Sequence, residues 1–233
     1  MNSAHTALKG ISSMATRQVL SDLATAWQAS GGEPLAIESV GGVDAANRVQ
    51  AGEEAFDVVF LASNAVDKLL ASGRAEAGSK VDLVLSSTAI AIPAGAAQPD
   101  ISSEDALRAA VLAAPSIGYS TGPSGVALQK LFERWGIAQE IQPRIVQARP
   151  GVPVGSLIAK GEVALGFQQL SELIHVQGIT IVGPMPAAIA IDTIFSGAVV
   201  TGSPQADAVR RLLAFMAAPE AAEAKRRQGM DPV

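Results

Sequence analysis

The sequence predicts an α/β protein with a largely parallel sheet, on three observations. Short apolar runs alternate with amphipathic stretches from one end of the chain to the other, the rhythm of strands joined through helices. One of those runs, FDVVFL at 56–61, is apolar enough for a strand buried on both faces. The 233 residues are 48% hydrophobic but only 4% aromatic, which supplies aliphatic cores for one or two domains.

The elements follow in order. Residues 6–11 (TALKGI) read as the first strand, with Ser12 and Ser13 in the loop after it. Residues 14–30 form a helix in which Leu20, Leu23, Ala24 and Trp27 recur three and four apart on one buried face. A strand at 35–40, a Gly41–Gly42 turn and a short helix over 44–51 come next. The strand at 56–61 leads to a helix over 65–72 closed by Gly73, then to a long β-type segment, 81–92, that ends at Pro93.

The second half keeps the same rhythm. A helix over 102–112 is capped by Ser102 or Ser103. A strand at 116–119 is followed by STGPSG and a helix over 126–135 that ends at Gly136. Further strands are expected at 145–146, 163–167, 179–182 and 189–201, and helices at 154–160, 170–176, 206–217 and 220–228. No short-period repeat and no Ser/Pro-rich linker is present, so the two halves interleave.

Composition excludes several functions. Seventeen basic against 22 acidic residues give a net charge of −5 and a pI near 5.1, without the basic surplus that nucleic-acid binding needs. The absence of cysteine removes disulfides, thiolate metal sites and Cys nucleophiles. The two histidines, His5 near the terminus and His175 on a helix face, stand too far apart to suggest a metal site or a Ser-His-Asp triad. Apolar stretches break well before the roughly 18 residues of a spanning helix, so no membrane insertion is expected. The first 20 residues carry no basic region followed by an apolar run. A cytoplasmic location is expected for the sequence as it stands, and a periplasmic one if a leader has been removed.

The polar residues gather where each strand hands over to a helix. Ser12–Ser13, Gly41–Gly42, Ser63–Asn64, Ser120 to Gly125 and Gln168–Gln169 all fall there. In open α/β sheets ligands bind at that edge, and helix N-termini offer free N–H groups and a positive dipole end to an anion. Each segment also has a plain reading. Ser12–Ser13 and Ser63–Asn64 would serve as N-caps, and Gly41–Gly42 as a turn. STGPSG is no nucleotide-phosphate loop, since no GK[ST] follows. Arg149, in RPGVP, is either a carboxylate clamp or a solvated loop arginine. Tyr119, the one tyrosine, sits beside STGPSG and either packs or touches ligand.

Five segments carry a family resemblance: ISSMATRQVLSDLATAW, VGGVDAANRVQAGEEAFDVVFLASNAVDKLLASG, STGPSGVALQKLFERWGI, VGSLIAKGEVALGFQQLSEL and VRRLLAFMAAPEAAEAKRRQGM. In this order they resemble the type 2 periplasmic-binding-protein family, in particular its molybdate-binding branch. The resemblance implies two α/β lobes, each a mostly parallel sheet flanked by helices, with the ligand in the cleft between them. Lobe one would comprise 1–87 and 190–233 and lobe two 88–189, joined by crossovers near 85–93 and 186–198. It also implies a serine after the first strand, matched by Ser12 or Ser13, and a second serine in a G-(A/S)-S-G turn. Here that turn is Gly41–Gly42–Val43, without the hydroxyl. Where the family commonly has a tyrosine, this chain has Gln168–Gln169. With Arg149, these departures point from an oxyanion towards a di- or tricarboxylate.

One branch similar in this way is enzymatic, the aconitate isomerases, which implies an allylic 1,3-proton shift without metal or organic cofactor. The expected ligand contacts are Ser12, Ser13, Gly42, Val43, Ser63, Ser120, Thr121, Ser124, Gly125, Arg149, Gln168 and Gln169. Lys9, near the end of the first strand, and Tyr119 are the candidates for moving the proton. The alternative is a solute receptor for molybdate or a similar oxyanion, with the permease of an ABC importer as its partner. A regulator's ligand-sensing domain would need a helix-turn-helix, for which no residues remain.

Overall fold

The computed structural model describes residues 6–52 and 54–233; His5 lies outside them. In chain order the elements are β1 (Leu8–Ser13), α1 (Arg17–Ala29), β2 (Leu35–Val40), α2 (Gly42–Ala51), β3 (Val58–Ala62), α3 (Ser63–Ala71) and β4 (Val81–Pro93). There follow α4 (Glu104–Ala113), β5 (Ile117–Tyr119), α5 (Pro123–Arg134), α6 (Ala138–Ile141), β6 (Ile145–Gln147), α7 (Val154–Ala159), β7 (Leu165–Gln169), α8 (Leu170–Leu173) and β8 (Ile179–Pro184). The chain ends with β9 (Asp192–Val199), α9 (Ala206–Ala217), α10 (Ala222–Arg227) and β10 (Met230–Pro232). The chain divides into two compact units, 1–85 with 194–233, and 86–193, and passes from one to the other within β4 and again within β9.

In the first unit the strand order is β2-β1-β3-β9-β4. β1 runs parallel to both β2 and β3, whereas β9 is antiparallel to β3. Both sheet faces are covered, which is why β3 (VVFLA) is buried at every position. Val58 and Phe60 face α1 and α9, through Leu20, Leu23, Trp27, Leu212 and Met216. Val59 and Leu61 face α2 and α3, through Ala45, Val49, Val66 and Leu69. A buried carboxylate locks the sheet's far end: Asp57 accepts from the Lys9 N–H (2.9 Å), the Ser203 hydroxyl (2.6 Å) and the Gln205 amide (3.2 Å).

In the second unit β5 lies between β6 and β7, parallel to both, while β4 pairs antiparallel with β7 and β8. Strand alternation sorts the side chains. Ile90, Ile117, Tyr119, Leu165 and Phe167 pack with α4 and α5 on one face. Ala89, Ala91, Val154, Ile158 and Leu173 pack on the other.

Several boundaries moved. The first strand is 8–13 rather than 6–11, because Leu8 to Ser13 pair in parallel register with Leu35 to Val40. The strand expected at 163–167 is 165–169, held by pairing with β4. α5 begins at Pro123 instead of 126, with proline in the first turn where its missing N–H is harmless. α6 and β10 were not foreseen. Ser103 does cap α4, accepting from the Ala106 N–H at 3.1 Å.

Lys225 on α10 is fully buried, and its Nζ meets no hydrogen-bond partner among the described residues. Burial pushes its pKa below the ordinary lysine value. The unfolded chain then takes up this proton at higher pH than the folded chain does. The resulting destabilisation is absent above about pH 10.4 and develops as pH falls. Lys225→Met should therefore stabilise the fold at neutral pH by about 1–3 kcal/mol. Unfolding midpoints measured across pH 7 to 10.5 check this: the gap between variant and parent should narrow as pH rises.

Candidate functional site: two polar strand-end edges

Parallel register places the loops after β1, β2 and β3 on one edge of the first unit, because Ser12 pairs with Ser39 on one side and Phe60 on the other. Ser12 is fully buried and its Oγ lies 2.8 Å from the Ser39 Oγ, one hydroxyl donating to the other. A second hydroxyl therefore stands beside Ser12, supplied by the end of β2 rather than by the Gly41–Gly42–Val43 turn. Its sequence signal was available: Leu35, Ile37 and Ser39 alternate on one face of β2, and a serine breaks that apolar series.

Ser13 caps a single 3-10 turn, its Oγ accepting from the Ala15 N–H at 3.4 Å. Gly42 and Val43 open α2 rather than forming a loop, and Val43 is exposed. A Cβ on Gly42 would stand 3.4 Å from the Ser13 Oγ, so the α2 N-terminus approaches Ser13. Ser63, half-buried, is the first residue of α3. Neither α2 nor α3 has a side-chain cap, which leaves their first N–H groups free on this edge.

Lys9 does not belong there. It is the second residue of β1 and exposed, roughly 13 Å of strand from Ser13 at about 3.3 Å per residue. The shift of the strand boundary moved it to the opposite end of the sheet.

In the second unit, the register Tyr119↔Gln147 and Tyr119↔Phe167 brings the ends of β5, β6 and β7 to one edge. STGPSG is a tight entry into α5. The Ser120 Oγ accepts from the Gly122 N–H at 3.3 Å, Thr121 is exposed, and Ser124 and Gly125 are buried in the first helical turn. A Cβ at Gly125 would lie 1.8 Å from the Ser120 carbonyl oxygen, so only glycine lets the helix start this close to the strand. The turn also has no side-chain cap. Tyr119 is packed, its ring tilted against Phe132 and its hydroxyl accepting from the Gln129 amide at 3.2 Å. Arg149, in the turn after β6, is exposed, and its guanidinium forms no ion pair among the described residues.

Gln168 and Gln169 are the last residues of β7, not of a loop, and both are buried. They point to opposite faces. The Gln168 Oε1 accepts from the Gly155 N–H at 3.0 Å and so caps α7. The Gln169 Nε2 donates to the Thr193 hydroxyl at 3.1 Å, while its Oε1 has no partner among the described residues. Thr88, directly across from Gln169 in the ladder, and Ser86, two residues before it on the same face, have equally unpartnered, fully enclosed hydroxyl oxygens. Three such oxygens on one face are unusual, since buried polar groups are nearly always paired. Ser86, Thr88 and Thr193 escaped the sequence reading. The SST in LVLSSTAIAI was the available signal, as hydroxyls stand there where aliphatic residues are expected.

Glu172, on α8 just past Gln169, was also missed. It is half-buried, and desolvation pushes its carboxyl up to about 7, against the opposing effect of a hydrogen bond from the Gln168 side chain. An open groove of about 500 Å³ runs along α1 and β2, with Arg17 and Ser39 among its lining residues. It follows the flank of the sheet and shares only Ser39 with the hydroxyl pair. Among the described residues no group of three or more His, Asp or Glu could hold a metal ion, and no helix is long and apolar enough to cross a membrane.

An unpartnered buried hydroxyl loses nothing when replaced by a methyl group of similar shape. Thr88→Val should leave stability unchanged or raise it by up to about 1 kcal/mol in denaturant unfolding. A loss of more than that would mean that the Thr88 Oγ1 is bonded.

Comparison with known proteins gives these edges a context. An aconitate isomerase from a Pseudomonas species is 39% identical over 234 residues, covering 98% of this chain and 88% of its own. The periplasmic molybdate-binding protein of Azotobacter vinelandii superposes with a TM-score of 0.79 at 20% identity, over 96% of this chain and 98% of its own. The sulfate-binding protein SubI of Mycobacterium tuberculosis H37Rv does so at 0.77 and 16%, over 98% and 88%. The profile of bacterial extracellular solute-binding proteins matches residues 8–231. The chain therefore has the two-lobe α/β fold of the periplasmic binding proteins and belongs to the bacterial extracellular solute-binding protein family.

Proposed function

We propose that this protein is a cofactor-independent isomerase of the aconitate isomerase type, interconverting trans- and cis-aconitate. The observation that carries the reading is the 39% identity to an aconitate isomerase across 98% of the chain. The reaction changes no oxidation state. A proton leaves the methylene carbon, the double bond shifts across the allylic system, and a proton arrives at the former vinylic carbon. What it needs is fixed carboxylates, stabilisation of the charge that develops on a carboxylate, and a group to move the proton.

The strand-end edges supply the first two. Uncapped N–H groups of α2, α3 and α5, the hydroxyls of Ser12, Ser13, Ser63, Ser120, Thr121 and Ser124, and the Gly125 and Val43 backbone are donors that carry no charge of their own. In this reading such neutral donors fix the carboxylates of a bound tricarboxylate, with the exposed Arg149 guanidinium as clamp. Gln168 contributes by holding the α7 N-terminus, and Gln169 by presenting its amide beside Thr88 and Ser86. Tyr119, its hydroxyl already engaged by Gln129, orients the α5 entry and is set aside as the proton carrier.

The second reading, an ABC importer's receptor for molybdate or a related oxyanion, is favoured by the binding proteins among the structural neighbours. The family's extracellular description favours an exported protein, periplasmic rather than cytoplasmic, under either reading. Incubation of purified protein with trans-aconitate, followed by separation of the isomers, distinguishes the two. The isomerase reading expects cis-aconitate to accumulate to equilibrium. No turnover between about pH 5 and 9 would return the chain to the receptor class. Arg149→Ala should lower kcat/KM by about tenfold or more, the loss of a charge-assisted hydrogen bond to a carboxylate.

A further inference from the structure

The missing part of that mechanism is the group that moves the proton, and the described residues offer few. Lys9 is at the wrong end of its sheet, the Tyr119 hydroxyl is engaged, and His175 lies beyond α8 on an exposed turn. Lys225, the other buried titratable group with a displaced pKa, belongs to α10 and lies on no strand-end edge.

We propose that the Glu172 carboxylate is the catalytic acid–base, held at the end of β7 by the Gln168 amide and carrying the proton between the two allylic carbons. This deepens the isomerase reading and rests on it. Three observations on the site support the assignment. Glu172 lies one turn past the end of β7, on the edge where the β5 and β6 loops also end. It is half-buried, so a ligand can reach it while bulk water is largely excluded. Its partner is itself fixed: the Gln168 Oε1 is anchored by the Gly155 N–H, which leaves the Gln168 amide hydrogens to face Glu172.

The electrostatic surroundings suit the task. β7 (LGFQQ) and α7 (VGSLIA), the elements packed around this corner, carry no titratable side chain, and Glu172 is the one such residue on α8. His175 follows α8 on an exposed turn, and Arg149 lies in the turn before α7. The upward displacement comes from burial alone, with no charged neighbour contributing. A carboxyl titrating near 7 exists in both protonation states at neutral pH, as a group that must take and return one proton requires. In the step, the ionised carboxylate accepts the methylene proton and the C–H electron pair enters the allylic system. The neutral carboxylic acid then delivers that proton to the other terminal carbon, restoring the carboxylate.

The assignment makes a kinetic signature that a packing role would not. An ionised Glu172 repels a tricarboxylate, so Glu172→Gln should bind trans-aconitate at least as tightly as the parent in calorimetric titration. Its kcat should fall by about 10²- to 10⁴-fold, the usual contribution of general acid–base catalysis. In the parent, kcat/KM should rise with pH through a midpoint near 7, because the free protein must present the ionised form. A kcat retained within about threefold in Glu172→Gln overturns the proposal. Should that variant not fold, the parent's pH profile decides, and one that is flat from pH 5.5 to 8.5 overturns it equally. Absence of turnover in the parent overturns the isomerase reading and the assignment together, a failure recognisable because it appears without any substitution.

Discussion

The structure depends on one constraint: parallel pairing fixes all strands of a ladder to end together. In the first unit β1 is locked between β2 and β3, and in the second β5 is locked between β6 and β7. Each ladder therefore delivers three chain reversals to one edge and three helix beginnings with them. The residues there have no choice but to manage unpaired N–H groups. Side-chain caps satisfy some, as Ser13 does, but α2, α3 and α5 begin without one. Those uncapped turns leave N–H groups of the kind that helix N-termini offer to anions.

Neutral donors matter because they need no counter-charge in the empty protein. A ring of lysines would repel itself and attract any anion, whereas hydroxyls and amides discriminate by position. The hydroxyl pair Ser12–Ser39 and the enclosed oxygens of Ser86, Thr88 and Gln169 show how far polar groups have been carried into otherwise apolar strands. The same burial raises the proton affinity of Glu172. Desolvation, which the aliphatic cores produce as a matter of packing, is thus also what turns an ordinary glutamate into a group fit for proton transfer.

The architecture was legible in the sequence because alternation and helical spacing are local. Leu20, Leu23 and Trp27 announce the buried face of α1 wherever the helix packs. Boundaries were legible only where a residue type enforces them, as Ser103 does at the start of α4. Where a distant strand sets them, they were not. β7 gains Gln168 and Gln169 through pairing with Ala89 and Thr88, about eighty residues earlier, and no local pattern predicts it. The two-residue shift of β1 had the largest functional consequence, because it removed Lys9 from the edge. Ser39, Thr88 and Glu172 carried weak signals or none: a serine or a glutamate means little until its neighbours and burial are known.

The central claim is that the protein holds a tricarboxylate, through neutral strand-end donors and Arg149, rather than a tetrahedral oxyanion. The most direct measurement is calorimetric titration of the same preparation with trans-aconitate, citrate and molybdate. The account predicts saturable binding of the tricarboxylates, weakened in Arg149→Ala, and no comparable heat with molybdate. Tight molybdate binding with no tricarboxylate signal would contradict it.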